Sequence, residues 1–230
     1  LRVRLRRPVA STEGFCPLCD GTADRYGDHA RACPCGGDRT KRHNRLRTVL
    51  ASHAAAAGLS PEVEKQGLLP ARPEELGASE AGGAQASGRR PADVYVPAWG
   101  IHGPAAFDLA ATSGMRGSVL SGSAADGGRA AAAYEGRKRQ YRQTEQLCNG
   151  QGLQFVPVVV EACGGGWGPA AVQLWKRLGA LHAARVGLSA GEGVVQLYQA
   201  LSVSLQRENA RAVLRRLPQS EVEAAAWADP

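Results

Sequence analysis

Four metal-ligating side chains stand close together near the start of the chain, in the spacing Cys16-x2-Cys19-x9-His29-x3-Cys33. No other feature restricts the fold as tightly. A Cys-x2-Cys pair sits on a tight turn, and His29 and Cys33, four residues apart, share one face of a helical turn. Tetrahedral zinc takes four thiolate or imidazole ligands at about 2.0–2.3 Å, and this spacing can deliver them. With all four positions filled by protein, such a site is structural, and it folds a segment too short to bury a core of its own. Cys35 is a fifth thiol that can replace Cys33. The alternative is a set of reduced, unliganded cysteines. A disulfide framework fits poorly, because the chain is long and its N-terminus lacks the apolar stretch of a secretory signal.

The 230 residues suffice for one large domain, or for one domain and a small module. No apolar run approaches the roughly 20 residues of a membrane helix, so no membrane association is expected. The first residue is Leu1 and the only methionine is Met115, which reads as a piece of a longer polypeptide. The net charge of +7 is unevenly placed: residues 1–53 hold 11 Lys+Arg against 5 Asp+Glu, and the remainder is nearly neutral. A basic front favours a polyanionic partner, nucleic acid above all, against the alternative of a solvated basic surface.

Periodicity predicts a helix from Arg39 to Gly58, with Leu46, Val49, Leu50 and His53 on one face and Gly58 as its stop. Short strands are expected at Val63–Leu69, Ala92–Val96 and Ala106–Thr112. Residues 70–88 and 113–128, rich in small residues, read as flexible insertions. A helix is expected over Arg129–Leu147. The apolar, β-branched run at 153–162 reads as a central strand. Helices follow at about 169–186, 190–204 and 205–217. The order implies an α/β architecture with a mixed sheet flanked by helices.

Asp93 and Asp108 both lie within apolar strand sequence, where a lone carboxylate is costly. If the two strands form a hairpin symmetric about Trp99–Ile101, Asp93 falls opposite Asp108, with Cβ atoms about 4.5–5.5 Å apart on one face. Carboxylates that close repel unless a cation lies between them, and Mg²⁺ held by one or two carboxylates and a phosphate resolves the repulsion. Lys138 is the candidate positive group, on a helix face shared with Tyr134 and Tyr141. The alternative for Lys138 is a solvated basic helix. Glu161, at the end of the apolar run, is either a further acidic site group or a core-edge carboxylate paired with an arginine.

In chain order stand a basic stretch (Leu1–Arg7), the Cys/His cluster, Arg42-His43-Asn44 opening a helix, Glu64 in a strand, Arg90-Pro91-Ala92-Asp93, Phe107-Asp108, and Tyr134-x3-Lys138-x2-Tyr141. Over residues 1–165 this resembles the C-terminal region of site-specific non-LTR retrotransposon proteins, where a CCHC zinc knuckle precedes a restriction-like endonuclease of the PD-(D/E)XK superfamily. The resemblance places Pro91 and Asp93 at the "PD" and Asp108 at the second acidic position. Ala110 stands where most of the superfamily carries its lysine. In the retrotransposon branch that lysine comes from the following helix, a context that Lys138 and Tyr141 resemble.

The resemblance implies a restriction-endonuclease-like fold and Mg²⁺-dependent nicking of DNA, with a 3′-hydroxyl extended by a reverse-transcriptase domain of the same polypeptide. Element RNA is a further implied partner, and the nucleus the implied location. Asp93 and Asp108 would hold catalytic magnesium, and Cys16, Cys19, His29 and Cys33 structural zinc. Lys138, with Tyr141 and Glu161, completes the candidate catalytic set. Lys41, Arg42, His43, Arg45 and Arg47 would meet phosphates, although Arg42 and His43 can instead brace the zinc module. The expected division is 1–38 (basic segment and zinc module), 39–165 (nuclease core) and 166–230 (helical C-terminal extension). Two other readings stand beside this one. The fold can be a decayed nuclease that only binds nucleic acid, or an interaction domain whose acidic pair binds arginines.

Overall fold

The computed structural model describes residues 2–70, 89–115, 117–163 and 166–218. A two-stranded hairpin, β1 (Gly14–Phe15) and β2 (Thr22–Ala23), is followed by the short helix α1 (Asp28–Ala32) and the long helix α2 (Asp38–Ala56). Gly58, with φ +81°, ends α2 in the left-handed conformation that glycine adopts at little cost. Strands β3 (Glu62–Val63), β4 (Val94–Val96) and β5 (Ala105–Thr112) lead to α3 (Leu120–Ala125), α4 (Arg129–Gln140) and α5 (Thr144–Gly150). Strand β6 (Gln154–Glu161) and helices α6 (Pro169–Val186) and α7 (Ala190–Leu214) complete the order.

The main sheet is mixed, in the order β3-β4-β5-β6, with β3/β4 and β4/β5 antiparallel and β5/β6 parallel. Side chains alternate across it. Val94, Val96, Phe107, Leu109, Val156, Val158 and Val160 face one way, onto Leu46 and Leu50 of α2, Trp175 and Leu178 of α6, and Leu197, Leu201 and Leu205 of α7. Ala106 and Phe155 face the other way, in a smaller cluster with Leu153 and Cys148.

Several expectations change. The run 153–162 forms β6, but at the sheet's edge rather than its centre. It is apolar because helices cover both its faces, and its outer edge is closed by the Val160–Trp167 bridge and by the Gly168 amide donating to the Val159 carbonyl. Of the strand expected at 63–69, only Glu62–Val63 pairs with β4, while Leu69 bridges Arg89. Residues 71–88 of the first insertion lie outside the described residues, and the second insertion contains α3. The helix expected over 129–147 is broken, because Arg142 and Gln143 take left-handed φ values of 49° and 56°. The two helices expected after residue 190 are one. Its Ser189–Glu192 capping box starts it, and no helix breaker interrupts the apolar stripe Leu197, Leu201, Leu205. The segment 166–230 is not an appendage over its described part, since α6 and α7 supply much of the main core. No described helix is long and apolar enough to cross a membrane.

Ion pairs hold the Cys/His module against α7. Asp38, 3% exposed, accepts from Arg216 at 2.8 Å and Arg215 at 2.9 Å, and it forms an ion pair with Arg211 at 3.1 Å. Arg31 donates to the Gly27 carbonyl at 3.1 Å and to Cys163 Sγ at 2.7 Å, and it also pairs with Asp28. Val3, Ala30 and Val213 form a small apolar contact between the module and α7.

Candidate functional site

The β1–β2 hairpin presents Cys16 and Cys19, and α1 presents His29 and Cys33. The Cys16 amide donates to the Gly21 carbonyl at 2.9 Å, closing the turn between the first two ligands. Asp24 receives the amides of Tyr26, Asp28 and His29 at 2.9, 3.1 and 2.6 Å, which fixes the start of α1 and so aims His29. Burial opposes its charge, but these amides hold the Asp24 carboxyl below its usual value.

The four ligand atoms lie within 4.8 Å of one another. Cys16 and Cys33 sulfurs are 4.0 Å apart, Cys33 and Cys19 3.6 Å, and Cys19 Sγ lies 3.3 Å from His29 Nε2. Ligands about 2.0–2.3 Å from a tetrahedral ion are themselves separated by about 3.5–3.8 Å, so the cluster can hold zinc with little movement. Burial pushes the Cys16 thiol up, yet the Leu18 amide, His29 and the Cys19 amide bring it to about 6, toward the thiolate that a metal needs. Cys35 is outside this group. Its carbonyl accepts from Arg216 at 3.0 Å, and Cys33 is the fourth member of the group that could hold a metal.

A second group of polar side chains gathers where β4 stops short. The ladder pairs Val94 with Phe107, the expected hairpin register, and one further step along it sets Asp93 against Asp108. Because β4 begins only at Val94, the part of β5 from Leu109 to Thr112 has no strand partner on that side among the described residues. Asp93 turns into the gap, where its Oδ2 accepts the Leu109 amide at 2.8 Å. His43 of α2 donates from Nε2 to Asp93 Oδ1 at 3.0 Å. From the other side α4 brings Lys138, whose Nζ lies 2.5 Å from Asp108 Oδ2. His43, Lys138, Tyr134, Arg39, Thr40 and Ala110 line an open groove of about 420 Å³ at this edge.

The two carboxylates are shifted in opposite directions. Burial opposes ionisation of Asp93, but the hydrogen bond from His43, the Leu109 amide and the charge of Lys138 outweigh it, leaving the group below its usual value. Burial pushes Asp108 up and the charge of Asp93 pushes it further, while Lys138 pulls it down without reversing the rise. Opposed shifts on neighbouring carboxylates in a groove are what a cation-binding or acid–base site produces, and structural ion-pair networks share them.

Other candidates lie elsewhere. Glu161 pairs with Thr112 across the β5–β6 register, four residues beyond the Asp108–Pro157 pair, which is about 13 Å along the strand. It is 7% exposed, Oε1 has no partner, and no described arginine pairs with it. Burial pushes its carboxyl up. Tyr141 caps α4 just before the left-handed pair and stands 62% exposed beside Arg142, and it is not among the described residues that line the groove with Lys138.

Of the five residues expected at phosphates, Lys41 and Arg45 are exposed. Arg42 is buried, donating to the Arg31 carbonyl at 3.2 Å and to Asn209 Oδ1 at 3.0 Å, which braces the module against α7. Desolvation lowers its guanidinium to about 10. Arg47 pairs with Glu64, which also receives Arg90 at 2.9 Å. His43 sits on Asp93. Fifty positions separate these two, and no local spacing signals their contact. No protein-family model matches this chain, and no curated protein matches it.

Proposed function

We propose that this chain is a Mg²⁺-dependent DNA endonuclease domain of restriction-like fold, which nicks DNA by phosphodiester hydrolysis and carries a structural zinc module. The observation that carries this reading is the meeting of Asp93, Asp108 and Lys138 at one sheet edge, beside a groove of about 420 Å³ that Lys138 and His43 line. Asp93 and Asp108 would hold the magnesium. Their oxygens are the hard donors that ion prefers, and Asp108 Oδ1 makes no hydrogen bond among the described residues. When bound, the ion supplies positive charge to a phosphate oxygen and lowers the pKa of an attacking water.

Lys138 supplies charge to the developing oxyanion from a helix that is itself packed against β6. That helical origin answers Ala110, which lines the same groove where a strand-borne lysine would otherwise stand. His43 orients Asp93, and the Leu109 amide fixes its second oxygen. By the same resemblance, a reverse-transcriptase domain in the parent polypeptide, element RNA as a second partner, and a nuclear location belong to this reading.

The test is nicking of supercoiled plasmid. Cleavage that requires Mg²⁺, stops with EDTA, and disappears in Asp108→Ala and Lys138→Ala supports the assignment. Full activity in either variant removes it. A second reading is favoured by one feature: His43 and Lys138 each already contact one carboxylate without any metal. A zinc-containing nucleic-acid-binding module without cleavage would show salt-sensitive binding and no Mg²⁺-dependent nicking.

A further inference from the structure

Helix α2 separates two grooves. One is the acidic site described above, and the other is a cleft of about 530 Å³ between α2 and α7. Its α2 wall carries Arg45, Thr48 and Ser52, one helical face over two turns. Its α7 wall carries Gln196, Gln199 and Arg207, a stripe about 16 Å long at 1.5 Å per residue. No carboxylate lines the cleft among the described residues. Arg45 and Arg207 are both exposed, and neither has an ion-pair or hydrogen-bond partner for its side chain among the described residues. This contrasts with Arg31, Arg47, Arg139, Arg211, Arg215 and Arg216, each of which faces an acid. Exposed Lys41 lies one turn before Arg45, and Arg39 and Thr40 beyond it already line the acidic groove.

We infer that this cleft binds the sugar–phosphate backbone of duplex DNA flanking the point of cleavage, an inference that rests on the nuclease reading above. A concave surface with charges of one sign and no counter-charge concentrates the opposite sign. The neutral donors between the arginines (the Ser52 hydroxyl and the Gln196 and Gln199 amides) are what phosphate and sugar oxygens accept from, and they carry no base specificity, whereas the Thr48 hydroxyl already donates to the Asn44 carbonyl at 2.9 Å. Arg39, Lys41, Arg45 and Arg207 then form one track leading from the acidic site, around α2, into the cleft. The phosphates held at Arg45 and Arg207 fix the register of the duplex without touching the reacting group.

The experiment uses the full chain with Asp108→Ala, which prevents cleavage, and a fluorescein-labelled duplex of about 20 base pairs, titrated by anisotropy at several salt concentrations. The Arg45→Ala/Arg207→Ala pair is expected to weaken binding by about ten-fold or more at 0.1 M salt. It should also lower the slope of log K against log salt by about 1.8, since each lost phosphate contact removes about 0.9. Lys176→Ala, an exposed cation on α6, serves as the control and is expected to change neither quantity. Unchanged affinity and slope in the double variant overturn the inference, as does absence of DNA binding or a stronger preference of the cleft for RNA of the same length. Cleft-dependent binding by a wild-type protein that fails to nick plasmid sustains the cleft and removes the nuclease reading, so the two failures are distinguishable.

Discussion

The Lys138 ammonium lies 2.5 Å from Asp108 Oδ2 across thirty positions of sequence, with the lysine on a helix and the aspartate on a strand. Asp108 keeps a raised carboxyl pKa despite this contact, because burial and the charge of Asp93 act against it. The Lys138 ammonium alone therefore does not offset the burial of Asp108 and the charge of Asp93 beside it.

Loss of Lys138 should accordingly matter more than loss of its helical neighbour Tyr141. Lys138→Ala is expected to lower the plasmid-nicking rate by about 10² or more, the scale of removing one electrostatic donor. Tyr141→Phe should stay within about two-fold, since its ring is exposed at the end of α4, just before the helix break. Single-turnover nicking measured on both variants checks the contrast.

The proposed zinc site gives a stoichiometric prediction. The protein should carry one zinc per chain, released by a thiol-modifying reagent and read with a colorimetric chelator. Cys33→Ser should lose it and begin to unfold, whereas Cys35→Ser should retain it, because Cys35 lies outside the ligand group.

Gly21 offers a subtler test of the same centre. A Cβ placed there would come within 2.7 Å of His29 Cε1. Gly21→Ala should push the imidazole from its ligand position and weaken zinc binding by about ten-fold, the lower end of what disturbed ligand support costs. Competition against a fluorescent zinc chelator measures this, and an unchanged affinity would show that the hairpin yields instead.

Asp38 links the module to the body and gives a pH dependence. Burial opposes its charge, but Arg216 and Arg215 hold the carboxyl below its usual value. A lowered pKa stabilises the fold above the unfolded value of about 3.9, and that stability is lost as pH falls through the folded value. Asp38→Asn should cost about 3 kcal/mol at pH 7, as breaking one side of a buried ion pair does. Urea denaturation should show this difference shrinking below about pH 4.

Glu161 should behave in the opposite sense. Its pKa is raised by burial and Oε1 is unpartnered, so ionisation costs stability as pH rises above the unfolded value of about 4.3. Glu161→Gln should therefore stabilise the fold by about 1 kcal/mol at pH 7, with the gain vanishing near pH 4. Nicking should be unaffected, given the roughly 13 Å of strand between it and Asp108.

Much of this site is legible in the sequence because its signals are short-range. Cysteine and histidine spacing identifies four ligands whose geometry is set by one turn and one helical turn. The hairpin register follows from the symmetry of two strands about a Gly-rich connection, and the β5 ladder has that register. Signals fail where a neighbour in space decides. The apolar run of β6 records burial on both faces but is silent about lateral partners, so an edge strand reads as a central one. Arg42 looks like its basic neighbours, yet it is drawn inward by the Arg31 carbonyl and Asn209, the latter 167 positions away.

By itself, the sequence determined the Cys/His cluster up to the choice between Cys33 and Cys35, the α/β order and the pairing of the two strands that carry Asp93 and Asp108, because each depends on spacing within a few tens of residues. Only the tertiary structure decided that β4 stops early enough to leave an open edge, that His43 reaches Asp93, that α6 and α7 belong to the core, and that Arg45 and Arg207 face one cleft. The physical reason is the same in each case. Those outcomes depend on which distant surfaces are buried against one another, and a charged or apolar residue carries no mark of the partner that will neutralise or cover it.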